Sequence, residues 1–233
     1  MKKTIGIIGG MGPLATVKLF ERIVLNTVAK MDQDHPRVLI DNNASIPDRT
    51  SYILNGTENP LPELLKTATN LEKMGADFLI MPCNTAHYFY KELSAAVSIP
   101  IFDMLEEALL IAKDSIRDNR VGLLATDGTI KTGLYKERAG RYGFTVVVPD
   151  SSEQEKVMKY IYGIKSGDMT GYLTDFQEVV RSLKEKGIGT IIMGCTELSS
   201  ALDIIEHEEG IEYIDPLNAI ARRAVVESGC VVI

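Results

Sequence analysis

The chain has no tryptophan, and only three cysteines and three histidines in 233 residues. Three widely spaced cysteines do not make a disulfide framework, and no Cys-x-x-Cys occurs. Thioredoxin-like redox chemistry and a structural zinc site therefore lack their usual signature, and the scattered histidines do not supply one. There is no excess of basic charge: the formal net charge is −7, which gives no electrostatic reason to expect a nucleic acid or an anionic membrane as partner. No apolar run approaches the ~18 residues of a membrane span. The opening Met1-Lys2-Lys3-Thr4 passes at once into a strand-like run with Gly6, Gly9 and Gly10, too short for the apolar segment of a secretion signal. The expectation is a cytoplasmic protein with free thiols and no metal.

What is present is an ordinary globular composition, 45% hydrophobic and 24% charged, in a length that suits one large domain or two small ones. Short apolar runs alternate with helical spacing. Thr4–Ile8 reads as a buried strand, followed by a glycine turn and a helix from Leu14 to Lys30. Val38–Asp41 is a strand, 42–59 a polar irregular loop, and Pro62–Met74 a helix closed by Gly75. Asp77–Met81 is a strand that stops at Cys83, with a helix from Tyr88 to Val97. A strand at 99–103 and a helix at Leu105–Ser115 follow. The pattern then restarts. Arg120–Leu124 is a strand, with a helix over Tyr135–Tyr142 and a strand over Phe144–Val148. Ser151–Gly171 is a polar stretch with some helical spacing. Thr174–Lys186 is a helix closed by Gly187, and Thr190–Met193 is a strand that stops at Cys195. A helix over Ser199–His207, a strand over Glu212–Asp215 and a helix over Leu217–Glu227 close the chain.

The restart is an internal repeat. Cys83 and Cys195 lie 112 residues apart, as do Gly75 and Gly187, Met81 and Met193, and Asp103 and Asp215. Strands alternating with helices predict parallel sheets with right-handed crossovers. The expected fold is α/β, with two pseudo-symmetric domains, 1–103 plus 216–233 and 104–215. Each is a mainly parallel sheet flanked by helices, and the active site is expected in the cleft between them.

A lone cysteine at a strand end is commonly a small buried hydrophobe. Here two occupy the same point of a duplicated unit, at the carboxyl end of a parallel strand where open α/β sheets place ligands. Small hydroxyl or amide residues follow each. A thiol at a helix start is expected to have its thiolate stabilised by the helix dipole. Two thiols facing one ligand can form a redox disulfide, bind a metal or move protons. If one removes a proton from a carbon and the other returns one to the opposite face, the centre inverts. His87, four residues after Cys83, reads as a helix-surface side chain or as support behind the site. Cys230, near the tail, reads as structural. Gly10-Met11-Gly12-Pro13-Leu14-Ala15 fits the dinucleotide pattern G-x-G-x-x-A, but contains a proline, and the acidic residue expected ~20 residues on would fall in the middle of the first helix, with Asp41 further along. A small anion nest is the better reading.

Gly9-Gly10-Met11-Gly12-Pro13, Pro82-Cys83-Asn84-Thr85-Ala86 and Gly194-Cys195-Thr196-Glu197-Leu198 together resemble the aspartate racemase family, within the cofactor-independent aspartate/glutamate racemases. The resemblance spans essentially the whole chain. Glutamate racemases are more distantly similar: they usually carry Asp-Ser in the opener, and a histidine where this chain has Glu197. The resemblance implies an aspartate racemase, with a glutamate or broad-specificity racemase, or an inactive small-carboxylate binder of the same fold, as the alternatives. It implies no cofactor, a small acidic amino acid as the partner, and a homodimer. Cys83 and Cys195 would be the two bases. Asn84, Thr85 and Thr196 would hold the α-carboxylate, and Met11 and Gly12 would lie at the substrate. Arg49, beside Thr50, would grip the distal carboxylate in a bidentate way, and Lys165 would reach the same group from the second domain. Thr126 and Thr129 occupy the loop equivalent to the Met11 loop, and Glu197 would orient or protonate near Cys195.

Overall fold

The computed structural model describes residues 2–113, 115, 116 and 118–233. Along the chain run β1 (Ile5–Gly9), α1 (Pro13–Leu25), β2 (Val38–Asn42), α2 (Arg49–Asn55), α3 (Leu61–Lys73), β3 (Phe78–Ile80), a 3-10 turn (Thr85–Phe89), α4 (Tyr90–Ala96) and α5 (Met104–Ala112). There follow β4 (Arg120–Ala125), α6 (Asp127–Thr132), α7 (Leu134–Arg141), β5 (Thr145–Val147), α8 (Ser151–Lys165), α9 (Leu173–Glu185), β6 (Thr190–Gly194), α10 (Thr196–Ala201), β7 (Glu212–Ile214) and α11 (Pro216–Glu227). The chain divides into two compact units, Met1–Glu107 with Leu217–Ile233, and Ala108–Pro216. Both changes of unit fall inside helices, α5 and α11.

The first unit holds a parallel sheet of order β2-β1-β3, and the second a parallel sheet of order β5-β4-β6-β7. In each, the first strand of the unit lies between the second and third, so the carboxyl ends of all three emerge on one edge. β1, β3 and β6 are buried throughout, which explains why they read as unbroken apolar runs. The helix before each cysteine strand is amphipathic and packs on its own sheet. Leu64, Ala68 and Leu71 of α3 share a core with Ile8, Leu79, Met81 and Cys83. Phe176, Val179, Val180 and Leu183 of α9 share one with Ile191, Met193 and Cys195.

Both helices stop by the same device. Gly75 and Gly187 have φ of +94° and +82°, a region that penalises a Cβ. Their N–H groups donate to the carbonyls of Glu72 and Lys184, and the next residues, Ala76 and Ile188, donate to Leu71 and Leu183. This is a Schellman stop, made twice 112 residues apart.

Several expectations need correction. The first helix ends at Leu25, not Lys30, because Thr27 and Val28 pair with Val232 and Val231 near the carboxyl terminus. The loop 42–59 contains α2, which Asp48 caps by accepting the Ser51 N–H at 2.7 Å. The strand expected at 99–103 is reduced to one bridge, Leu79 to Ile101; Pro100 has no N–H to give a ladder. The helix expected over Tyr135–Tyr142 is α7, and a further short helix, α6, precedes it across Gly133. The stretch from Ser151 is a regular helix to Lys165. Asp150 accepts the N–H groups of Ser152 and Glu153, each at 2.9 Å, while Glu153 accepts that of Asp150 at 2.8 Å, a complete capping box. The helix after Cys195 covers Thr196–Ala201, not Ser199–His207. The helix expected to reach Ser115 ends at Ala112 among the described residues, and Asp114 lies outside them.

Candidate active site

In the first unit the candidate residues gather at the strand ends. β1 runs into Gly10-Met11-Gly12. Gly10 has φ +93°, and a Cβ there would stand 2.2 Å from the Asn43 carbonyl oxygen, so no side chain fits. The Gly10 N–H donates to Thr16 Oγ1 at 2.9 Å. This amide of the expected anion nest is therefore used inside the protein. Thr16 Oγ1 also donates to the Gly12 carbonyl at 3.3 Å, tying the turn to α1. Met11 is buried, in the same apolar cluster as Cys83 and Ile46.

Cys83 follows β3 by a short extension. It is a free thiol, 6% exposed, and its N–H donates to the Met81 carbonyl at 2.9 Å. Asn84 and Thr85 are buried at the start of the 3-10 turn. His87 is not on a helix surface: it belongs to this turn and is 1% exposed. Its Nδ1 is 2.8 Å from the Cys83 carbonyl oxygen, and its Nε2 accepts the Met104 N–H at 3.1 Å. A ring that accepts at Nε2 carries its proton on Nδ1, so the neutral tautomer donating to Cys83 O satisfies both contacts. Asp103 Oδ1 lies 3.8 Å from the same Nε2 and caps α5 by accepting the Leu105 N–H at 3.0 Å.

Arg49 and Thr50 begin α2 rather than lying in an irregular loop. Arg49 Nη1 donates to the carbonyls of Pro47 at 3.0 Å and Ile46 at 3.3 Å. Its Nε is buried and has no hydrogen-bond partner among the described residues. A buried cationic donor left open is costly unless an acceptor arrives. Thr50 is buried. α2 is held beside the Cys83 turn by Tyr52, whose ring lies 5.7 Å from that of Phe89.

In the second unit the contacts reach the sulfur itself. Ala125 of β4 is in register with Gly194 of β6, so Thr126 and Cys195, the next residues, leave neighbouring strand ends. Thr126 caps α6 by accepting the Thr129 N–H at 3.2 Å, and the two hydroxyls are 3.0 Å apart. Both threonines and Thr196 are buried. Cys195 is a free thiol, 6% exposed. Its Sγ donates to Glu197 Oε2 at 2.8 Å. The other carboxylate oxygen of Glu197 is 3.9 Å from Lys165 Nζ, and Thr196 Oγ1 reaches Oε2 at 3.4 Å. Lys165 ends α8, with its ammonium 5.3 Å from the centre of the Tyr162 ring.

The Cys195 thiol is pushed well above its ordinary pKa, first by burial and then by the Glu197 carboxylate, with Lys165 pulling the other way. This overturns the expectation of a dipole-stabilised thiolate here. α10 has six residues, and a turn so short offers a small dipole against desolvation and an anion in contact. Of the residues missed in the sequence, Thr16 and Asn43 build the opener. Their signals, a threonine in the first turn of a helix and an asparagine after a strand, are too common to single out. Among the described residues no three His, Cys, Asp or Glu side chains gather as a metal site, and no helix is long and apolar enough to cross a membrane.

The Asp/Glu/Hydantoin racemase family model matches residues 8–224. The solved structure of Picrophilus torridus aspartate racemase superposes with a TM-score of 0.86 at 31% identity, covering 99% of this chain and 96% of that one. The broad specificity amino-acid racemase RacX of Bacillus subtilis (strain 168) is 28% identical over 225 residues, 95% of this chain and 96% of its own. Glutamate racemase of Persephonella marina is 28% identical over 162 residues, 68% of this chain and 60% of its own. With both cysteine motifs inside the matched span, the chain belongs to the Asp/Glu/hydantoin racemase family, as an amino-acid racemase.

Proposed function

We propose that this protein interconverts L- and D-aspartate without a cofactor, with Cys83 and Cys195 as the two bases. The observation that carries the reading is their equivalence: two buried free thiols, each just beyond the third strand of its unit. One thiolate takes the α-hydrogen as a proton, and the opposite thiol gives its proton to the other face of the carbanion. The sites are exchanged in the reverse direction. In this reading the bound substrate is shielded from water, which strengthens every polar contact around it.

The remaining residues divide by charge. Asn84, Thr85, Thr196, and the turns holding Met11, Gly12, Thr126 and Thr129, surround the α-carboxylate, where negative charge accumulates as the proton leaves. Arg49, with Thr50 beside it, and Lys165 take the distal carboxylate; the open Nε of Arg49 is the donor such a group would satisfy. The likeness to an aspartate racemase over nearly the whole chain favours aspartate. The likeness to RacX and to glutamate racemases favours a broad or glutamate-directed alternative. An inactive carboxylate binder is the further alternative that the assay below excludes or leaves standing.

The test is a chiral assay of the purified protein with L- and D-aspartate, glutamate and alanine in deuterated buffer. The expected result is the opposite enantiomer of aspartate, formed fastest, with deuterium at the α-carbon. No interconversion of any amino acid would remove the reading. Faster turnover of glutamate or alanine would move the specificity to the alternative. We also propose a cytoplasmic homodimer, to be read by light scattering as a particle of twice 25.7 kDa; a monomer overturns it.

A further inference from the structure

Two anions at Cys195 and Glu197, 2.8 Å apart, repel strongly. Like charges that close favour the state in which one group keeps a proton. Glu197 is the group with a cation beyond it, at 3.9 Å, so the carboxylate keeps the charge and the sulfur keeps the proton. Of the tyrosines nearby, the Tyr162 ring lies 5.3 Å from the Lys165 ammonium, and two others engage backbone groups. Tyr160 of α8 gives its hydroxyl to the Met169 carbonyl at 3.3 Å, and the Tyr213 hydroxyl accepts the Glu208 N–H at 3.3 Å. We propose that Cys195, Glu197 and Lys165 form one proton-holding unit, in which Glu197 is a positioning residue that keeps the proton on sulfur and makes the thiolate, once formed, a stronger base. The inference rests on the two-base reading for its catalytic meaning, but not for its test.

The consequence concerns the weak acidity of an amino-acid α-hydrogen. An ordinary thiolate, with a conjugate acid near pKa ~8.5, is a poor base for that carbon. A thiolate formed beside a carboxylate gains more by taking a proton, and Brønsted behaviour converts this into a faster transfer. The resting enzyme then presents Cys195 as thiol, and receives directly the enantiomer whose proton Cys83 removes. In that turnover the α-hydrogen becomes the Cys83 thiol proton, and the Cys195 proton becomes the new α-hydrogen. Cys195 is left as a thiolate beside Glu197. L and D forms are equal in energy, so kcat/KM is the same in both directions. The asymmetry lies in kcat and KM separately.

The test is the ultraviolet thiolate absorbance of Cys195 against pH, without substrate, in a Cys83→Ser, Cys230→Ser background. The parent midpoint is expected above the ordinary thiol value. Glu197→Gln should lower it by about one pH unit or more, about a tenfold gain in thiolate at a fixed pH below the midpoint. Lys165→Met should raise it. These opposite directions are a signature that general loosening of the fold does not produce. A Glu197→Gln midpoint unchanged or higher, or a Lys165→Met midpoint unchanged or lower, overturns the proposal. So does a parent midpoint at or below the ordinary thiol value, which decides the matter even if a variant does not fold. Full racemase activity of Cys195→Ala would instead remove the two-base reading and leave the titration intact.

Discussion

Cys83 and Cys195 end equivalent strands, behind helices stopped by the same glycine device, yet their surroundings differ. At Cys83 the polar support is on the backbone: His87 donates to the Cys83 carbonyl oxygen and accepts the Met104 N–H. At Cys195 the support is on the sulfur, through Glu197 and then Lys165. The first arrangement fixes where a turn sits. The second governs a proton. A duplicated scaffold therefore presents two thiols alike in their place within each unit and unlike in their surroundings.

The loops after the first strands make the same point. The turn after β1 is built on a glycine that admits no Cβ, tied down by Thr16. The turn after β4 is built on a threonine cap. One depends on backbone conformation and the other on a side chain.

The sharpest way to break the comparison is to remove each sulfur. Cys83→Ala and Cys195→Ala should each lower aspartate racemisation by about 10³-fold or more, the scale of a lost acid or base, while binding of the substrate persists. A chiral assay reads the first and calorimetric titration the second; activity retained in only one variant would show that the two thiols do not share the task. Arg49→Leu should lower kcat/KM for aspartate by about 10²-fold, since charged hydrogen bonds contribute about 1.5–3 kcal/mol. The effect on alanine should be much smaller, and equal losses on both would place Arg49 away from the distal carboxylate. Gly10→Ala should destabilise by about 1–3 kcal/mol, because a forced contact and an unfavourable φ act together. Thr126→Ala, at the matching turn, should cost about 1 kcal/mol, the worth of an N-cap. Urea unfolding of the two variants measures the difference, and a larger loss at Thr126 would make the side-chain cap, not the glycine, the more demanding device.

Much of this was legible in the chain. The buried strands announce themselves as apolar runs because parallel strands are covered on both faces. The repeat is visible because Gly75, Met81 and Cys83 recur at one spacing. Short helices were not legible from periodicity. α2 and α6 have seven and six residues, too few turns to show an apolar face, and their signals are caps, Asp48 and Thr126. α8 carried a capping box from Asp150 to Glu153 inside a stretch whose polarity hid it. Cys83, Cys195 and Glu197 could be named as candidates from motif alone.

The sequence by itself determined the alternation of strands and helices, the duplication, the two cysteines at matching strand ends and the family to which they point. These follow from local pattern, and local pattern survives without coordinates. Only the tertiary structure decided that His87 faces inward on a carbonyl, that Lys165 at the end of α8 comes to the carboxylate of α10, and that the Cys195 sulfur lies against that carboxylate under burial. Those facts depend on groups far apart in the chain being brought within a few ångströms under burial. Charge interactions under burial vary steeply with separation and solvent access, neither of which residue order contains.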